Sequence, residues 1–163
     1  MKKPNFLSIL RTLRKEQVDF IVVGGVGGVL QGAPLTTFDL DVVHARDPQN
    51  IERLLAALEL LGARYRTPGA EQKKPERSHL VSSGHQLLMT RACPLDLLGT
   101  IGRGHSYDDL IGNTIELEIG KGLQVHVLKL ETLIKVKEET AREKDKLALL
   151  ILRRTLQERT AES

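Results

Sequence analysis

The sequence predicts an α/β (α+β) chain: a mixed β-sheet with flanking helices and a long C-terminal helix. Three observations carry this expectation. At 163 residues the chain is one domain long, 1–163, enough to bury about 70% of its unfolded surface. Segments with the period of a strand alternate along it with segments of helical period. The stretch from Lys129 to about Glu158 keeps one helical pattern without Pro or Gly.

The elements follow in order. Phe6, Leu7, Ile9, Leu10 and Leu13 recur at helical spacing with Arg11, Arg14 and Lys15 opposite, which predicts an amphipathic helix over 5–15. Phe20 to Val23 reads as the first strand. It ends at Gly24-Gly25, opens a short segment that can be helical, and reaches a turn at Gly32-Ala33-Pro34. Phe38, Leu40 and Val42 then alternate with Asp39 and Asp41, so a strand would face the apolar trio to a core and both carboxylates to the other side. This strand is expected to end near an exposed His44. Asp47-Pro48 supplies an N-cap and a first-turn proline for a helix ending at Leu61, stopped by Gly62.

Residues 64–79 change character. Arg64, Arg66, Lys73, Lys74, Arg77 and His79 stand against Glu71 and Glu76, with Pro68, Gly69 and Pro75 breaking regular structure. This is a basic loop, read either as a phosphate-facing flap or as a solvated surface segment. His79 to Ser82 and Gln86 to Thr90 are expected as strands joined at Ser83-Gly84-His85. Pro94-Leu95-Asp96-Leu97-Leu98 is an apolar run interrupted by one acid, Gly99 to Gly104 a flexible turn, and Ser106 to Leu110 one helical turn. Thr114 to Glu118 and Gln124 to Val127 form a hairpin through Gly120-Lys121-Gly122. On the last helix Leu130, Leu133, Ile134, Ala141, Ala148 and Ile151 make an apolar stripe that contains Lys137 and Lys144, whose stems can snorkel.

Composition sets the frame for function. Hydrophobic residues are 40% and charged ones 28%, ordinary for a globular protein, and the net charge of +3 suits a polyanionic partner without requiring one. A single cysteine, Cys93, excludes an internal disulfide, and His85, His105 and His126 share no zinc-ligand spacing with it. Met1-Lys2-Lys3-Pro4 does not open a signal peptide, and no apolar run approaches the roughly 18 residues of a membrane span. The expected compartment is the cytoplasm, with no membrane partner.

Chemistry concentrates between Asp19 and Val43. Two carboxylates on one strand face, roughly 6 to 7 Å apart, repel by about 2 to 3 kcal/mol at an effective dielectric near 20, so a cation is wanted between them. A hard divalent ion held by one or two carboxylates and substrate phosphates meets that need. Gly24-Gly25, where a strand opens a helix, offers backbone N–H groups to phosphate. Neither commoner phosphate motif fits: a Gly-x-Gly-x-x-Gly would need glycine at Leu30, and a P-loop would need Lys-Ser/Thr at Ala33-Pro34.

Gly24-Gly25 followed by Thr37-Phe38-Asp39-Leu40-Asp41 resembles the signature of the nucleotidyltransferase superfamily related to DNA polymerase β, and in particular its small bacterial and archaeal members. Asp96 matches the third acid of that family, on a strand beside the Asp-x-Asp. Leu130 to Lys137, then Arg142-Glu143-Lys144-Asp145, resembles the closing helix of its small members, so the likeness covers about residues 16–155. The chain departs from the pattern at Leu35 and Phe38, where many relatives carry basic or polar residues.

The resemblance implies a Mg²⁺-dependent nucleotidyltransferase moving a nucleoside monophosphate from an NTP to an acceptor hydroxyl, by a mechanism using two Mg²⁺ ions. It implies Asp39, Asp41 and Asp96 as catalytic and metal-binding residues, and Gly24 and Gly25 as nucleotide-binding ones. Lys137 is a candidate triphosphate contact. Arg142 and Lys144, with Asp145, are either further nucleotide contacts or helix-anchoring ion pairs. The acceptor would be RNA, a protein or a small molecule. The alternative is a catalytically weak relative acting beside a small partner protein, as one half of a toxin-antitoxin pair.

Overall fold

The computed structural model describes residues 5–162, so Met1-Lys2-Lys3-Pro4, on which the expectation of no leader rests, lies outside the described residues. The Asn5 side chain accepts a hydrogen bond from Ser8 N and caps α1 (Phe6–Lys15), whose Ile9, Leu10 and Leu13 are buried. Then follow β1 (Phe20–Val23), α2 (Gly24–Val29), β2 (Leu40–His44), α3 (Pro48–Leu61), β3 (Arg64–Tyr65), α4 (Arg77–Val81), β4 (His85–Met89) and β5 (Pro94–Leu98). The chain continues through β6 (Thr100–Ile101), β7 (His105–Ser106), α5 (Tyr107–Leu110), β8 (Thr114–Ile119), β9 (Leu123–Leu128), α6 (Leu130–Glu139) and α7 (Lys146–Glu162).

Seven strands form one mixed sheet in the order β3-β4-β5-β2-β1-β9-β8, with β1/β9 and β2/β5 parallel and the other pairs antiparallel. Period 2 splits the strands between two apolar clusters. Leu40, Val42, Leu95 and Leu97 pack with Ile9, Leu13, Ile51 and Leu54, so α1 and α3 cover that face. Val43, Leu98 and Leu128 pack with Leu133, Ile134, Leu149 and Leu152, so α6 and α7 cover the other.

Five local expectations are corrected. Phe38 is 60% exposed, because β1 ends at Val23 opposite Asp41 and leaves the chain before Leu40 without a partner strand to hold Phe38 on a core face. His44 is buried, donates from Nδ1 to Ala45 O, and is pushed below its ordinary pKa by that burial. Residues 79–81, expected as strand, belong to α4, where Glu76 N donates to His79 Nδ1 and fixes the helix start. The turn over 99–104 carries a short hairpin, β6 with β7. The C-terminal helix is interrupted: Arg142 N donates to Asp145 Oδ2 and makes a fresh helix start, which lets α7 bring Leu149 and Leu152 onto the cluster of Leu133 and Ile134. Among the described residues no helix is long and apolar enough to cross a membrane.

Candidate active site

Strand register assembles the acids. β2 and β5 run parallel with Leu40 opposite Leu95, Asp41 opposite Asp96 and Val42 opposite Leu97. Residues in register share a sheet face, so Asp41 and Asp96 project together on the side of Val43 and Leu98. Oδ1 of each carboxylate is buried and receives no hydrogen bond. Burial above all, then the charge and hydrogen bonding of Asp96 and the charge of Asp39, push the Asp41 carboxyl up to about 8, against the lowering influence of Arg66.

Asp39 stands just before β2, across a guanidinium. Arg66 follows β3, and its backbone N donates to Leu87 O while Nη1 donates to Leu88 O at 2.8 Å, which fastens it to β4. Its Nη2 lies 2.6 Å from Asp96 Oδ1 and 3.7 Å from Asp39 Oδ2. The contact with Asp96 is a close ion pair rather than an aligned hydrogen bond. Among the described residues no three His, Cys, Asp or Glu side chains converge in a metal-binding group; the acids gather around Arg66 instead.

Gly24 closes the other side of Asp41. It has φ +64, and a β-carbon there would overlap Asp41 Oδ2, so glycine is required by backbone conformation and by close approach alike. At Gly25 a β-carbon would sit 3.0 Å from Thr37 Oγ1. Beside these glycines opens a cavity of about 220 Å³ lined by Gly24, Gly25, Asp41 and Lys137 together with apolar residues of α6 and α7. Lys137 Nζ lies 3.4 Å from Asp145 Oδ1. Hydrogen bonding from Arg142 N, followed by the Lys137 and Lys144 charges, holds the Asp145 carboxyl below its ordinary pKa.

The structure thus brings Gly24, Gly25, Asp41 and Lys137 to one cavity and Asp96 to the flank of Asp41, with Asp39 joined through Arg66. Arg142 and Lys144 are exposed and do not line the cavity, and Arg142 serves through its backbone as the start of the turn before α7. Lys74 and Arg77 pair with Glu59 and Glu52 on α3, which packs on the sheet face opposite the acids. The basic segment is therefore divided: Arg66 reaches the acidic face and these two cations do not.

Three positioning residues were not singled out by sequence. Arg66 was one loop cation among six, although Arg64-Tyr65-Arg66 already alternates as an edge strand does. Gln31 donates to Gly27 O and Leu128 O and accepts from Leu130 N, tying the end of α2 to the junction of β9 and α6. Glu139 accepts from Arg103 N at 3.0 Å and from His105 Nε2 at 2.8 Å, which clasps the β6–β7 hairpin against α6 beside the cavity.

No family model and no curated protein matches the chain in sequence. Solved structures match it in shape. A Thermotoga maritima protein described as a candidate nucleotidyltransferase aligns with a TM-score of 0.53 at 17% identity, over 96% of this chain and 91% of that one. The ANT(2″)-Ia structure in complex with adenylyl-2″-tobramycin aligns with a TM-score of 0.57 at 15% identity, over 94% of this chain and 88% of that one. A solution structure of the antibiotic-resistance factor ANT(2″)-Ia gives 0.53 at 17% identity, over 96% and 91%. At these identities the likeness concerns the backbone, and with the mixed seven-stranded sheet it establishes that this chain has the nucleotidyltransferase fold.

Proposed function

We propose that this chain is a nucleotidyltransferase that moves a nucleoside monophosphate from an NTP to an acceptor hydroxyl and releases pyrophosphate. One observation carries the reading: Asp41 and Asp96 stand in register on adjacent parallel strands against the Gly24 turn, with Asp41 Oδ1 buried and unpartnered and Asp96 Oδ1 buried against only the Arg66 guanidinium. Two buried carboxylates side by side, whose charges have only one guanidinium to offset them, are the ligand set that a hard divalent cation fits.

Asp41 and Asp96, joined by Asp39 from across Arg66 once that guanidinium moves aside, would hold two Mg²⁺ ions; when bound, these ions neutralise phosphate charge and make the acceptor hydroxyl easier to deprotonate. Gly24 and Gly25 leave the backbone uncovered for phosphate to approach. Lys137, on the cavity wall and steadied by Asp145, binds the triphosphate. Asp96 orients the acceptor, and its carboxylate takes the acceptor's proton as the new oxygen–phosphorus bond forms and the bond to pyrophosphate breaks. The apolar wall of the cavity, with Leu133 and Leu152, excludes water from the transferred group.

The alternative, a catalytically weak protein working beside a partner, draws on one observation, the pairing of Arg66 with Asp96 and Asp39. Incubation of the purified protein with labelled NTPs, Mg²⁺ and a panel of acceptors separates the two. Total RNA, cell protein and aminoglycosides belong in the panel, the last because one structural relative is seen with an adenylylated tobramycin. Transfer of labelled monophosphate to any acceptor supports the enzyme; NTP binding with no transfer to any acceptor supports the alternative.

A further inference from the structure

The pairing of Arg66 carries an inference of its own, which rests on the reading of the three acids as metal ligands. Arg66 is fastened by its backbone N and Nη1 to β4, and only Nη2 reaches the acids. It is no mobile surface cation: its side chain is 26% exposed, and it leans on an Asp96 that is 14% exposed. Nη2 lies against Asp96 Oδ1 at 2.6 Å and Asp39 Oδ2 at 3.7 Å, and a divalent ion held by these acids would need the Asp96 carboxylate that Nη2 covers. A guanidinium cannot enter a cation's coordination sphere, because it carries donors only and its charge repels the ion. Guanidinium and metal therefore exclude each other there.

We propose that Arg66 is a positioning residue that acts as a built-in counter-cation, an alternative occupant of the acidic site that a divalent cation displaces. Without metal, Arg66 screens Asp96 and Asp39 and keeps the carboxylates gathered. On metal entry its guanidinium gives up Asp96 Oδ1 while its backbone stays on β4. The displaced Nη2 then lies at the rim of the site, a cation for an acceptor or phosphate arriving from the β4 side. Competition of this kind raises the metal concentration at which the site fills, which keeps it empty when divalent ions are scarce.

The test is calorimetric titration of nucleotide-free protein with Mg²⁺ in wild type, Arg66→Gln and Arg66→Lys. Loss of the competing cation is expected to tighten Mg²⁺ binding about three- to tenfold in Arg66→Gln, with Arg66→Lys in between. In the wild type, the Arg66 side-chain nitrogen signals in an arginine-labelled sample are expected to shift as Mg²⁺ saturates, a readout that needs no substitution to fold. Equal or weaker Mg²⁺ binding in Arg66→Gln, or Arg66 signals unmoved at saturation, would overturn the inference and leave the metal site standing. No saturable Mg²⁺ binding in either wild type or Arg66→Gln would overturn the metal-ligand reading and this inference together.

Discussion

The acidic and the basic halves of the candidate site were built in different ways. Asp41 and Asp96 are separated by more than fifty residues in sequence yet meet because one strand register fixes both, Leu40 against Leu95 through Val43 against Leu98. The cations of the C-terminal segment are near neighbours in sequence and come apart: Lys137 reaches the cavity, whereas Arg142 and Lys144 are turned to solvent by the break between α6 and α7. A strand in a sheet has its faces locked by pairing on both sides, so period 2 survives folding. A helical projection survives only while the helix is continuous, and one side-chain capping bond at Asp145 rotates all that follows.

The largest effects should fall on the acidic half. Asp96→Asn should reduce transfer at least about a thousandfold while leaving Mg²⁺-dependent NTP binding largely intact, whereas Asp39→Asn and Asp41→Asn should damage both. Single-turnover transfer and equilibrium NTP binding check this; Asp96→Asn transferring as fast as wild type would remove β5 from the chemistry.

Asp41, needed for transfer, should behave oppositely in stability. The Asp41 carboxyl is raised in the folded chain from 3.8 to about 8, so the native state holds a proton that the unfolded chain releases. Its contribution is complete below about pH 4, declines as pH rises toward 8, and is then lost. Asp41→Asn should flatten that decline and, in EDTA at pH 8, melt higher than wild type by about 3 °C or more. Melting curves at pH 4, 6 and 8 decide it.

Gly24→Ala comes next, since the substitution meets both a positive φ and Asp41 Oδ2. It should cost about 1 to 3 kcal/mol in denaturant unfolding and misplace Asp41. On the basic side, Lys137→Met should weaken NTP binding by about 1.5 to 3 kcal/mol, and Lys144→Ala should leave it unchanged. Equal losses in the two would mean that the helix break does not separate them. The smallest effect is expected for Lys73, Lys74 and Arg77 replaced together by Ala. Lys74 and Arg77 are paired to α3 on the far face, so RNA affinity and its salt dependence should not change, and stability should fall by no more than about 1 kcal/mol.

Much of this was legible in sequence, and the misses share a cause. The Gly24-Gly25 turn, the Asp41 face and the Asp96 strand follow from glycine backbone freedom and the alternation of apolar and acidic residues, which are local properties. Phe38 alternated correctly and yet is exposed, because alternation says nothing about where the partner strand ends. His44 looked like a strand end and is buried, because it alternates in phase with Leu40 and Val42 on the face that α1 and α3 cover.

By itself, then, the sequence determined which residues alternate, where glycine and proline punctuate the chain, and which acids belong on strands. Only the tertiary structure decided the register that sets Asp96 opposite Asp41, that Arg66 rather than Lys74 or Arg77 stands between the acids, and that Lys137 and Lys144 part company. The physical reason is range. Backbone conformation and periodicity are set within a few residues, whereas the partner of a charge is set by which strands pair and which layers cover them, and that is decided by burying the core as a whole.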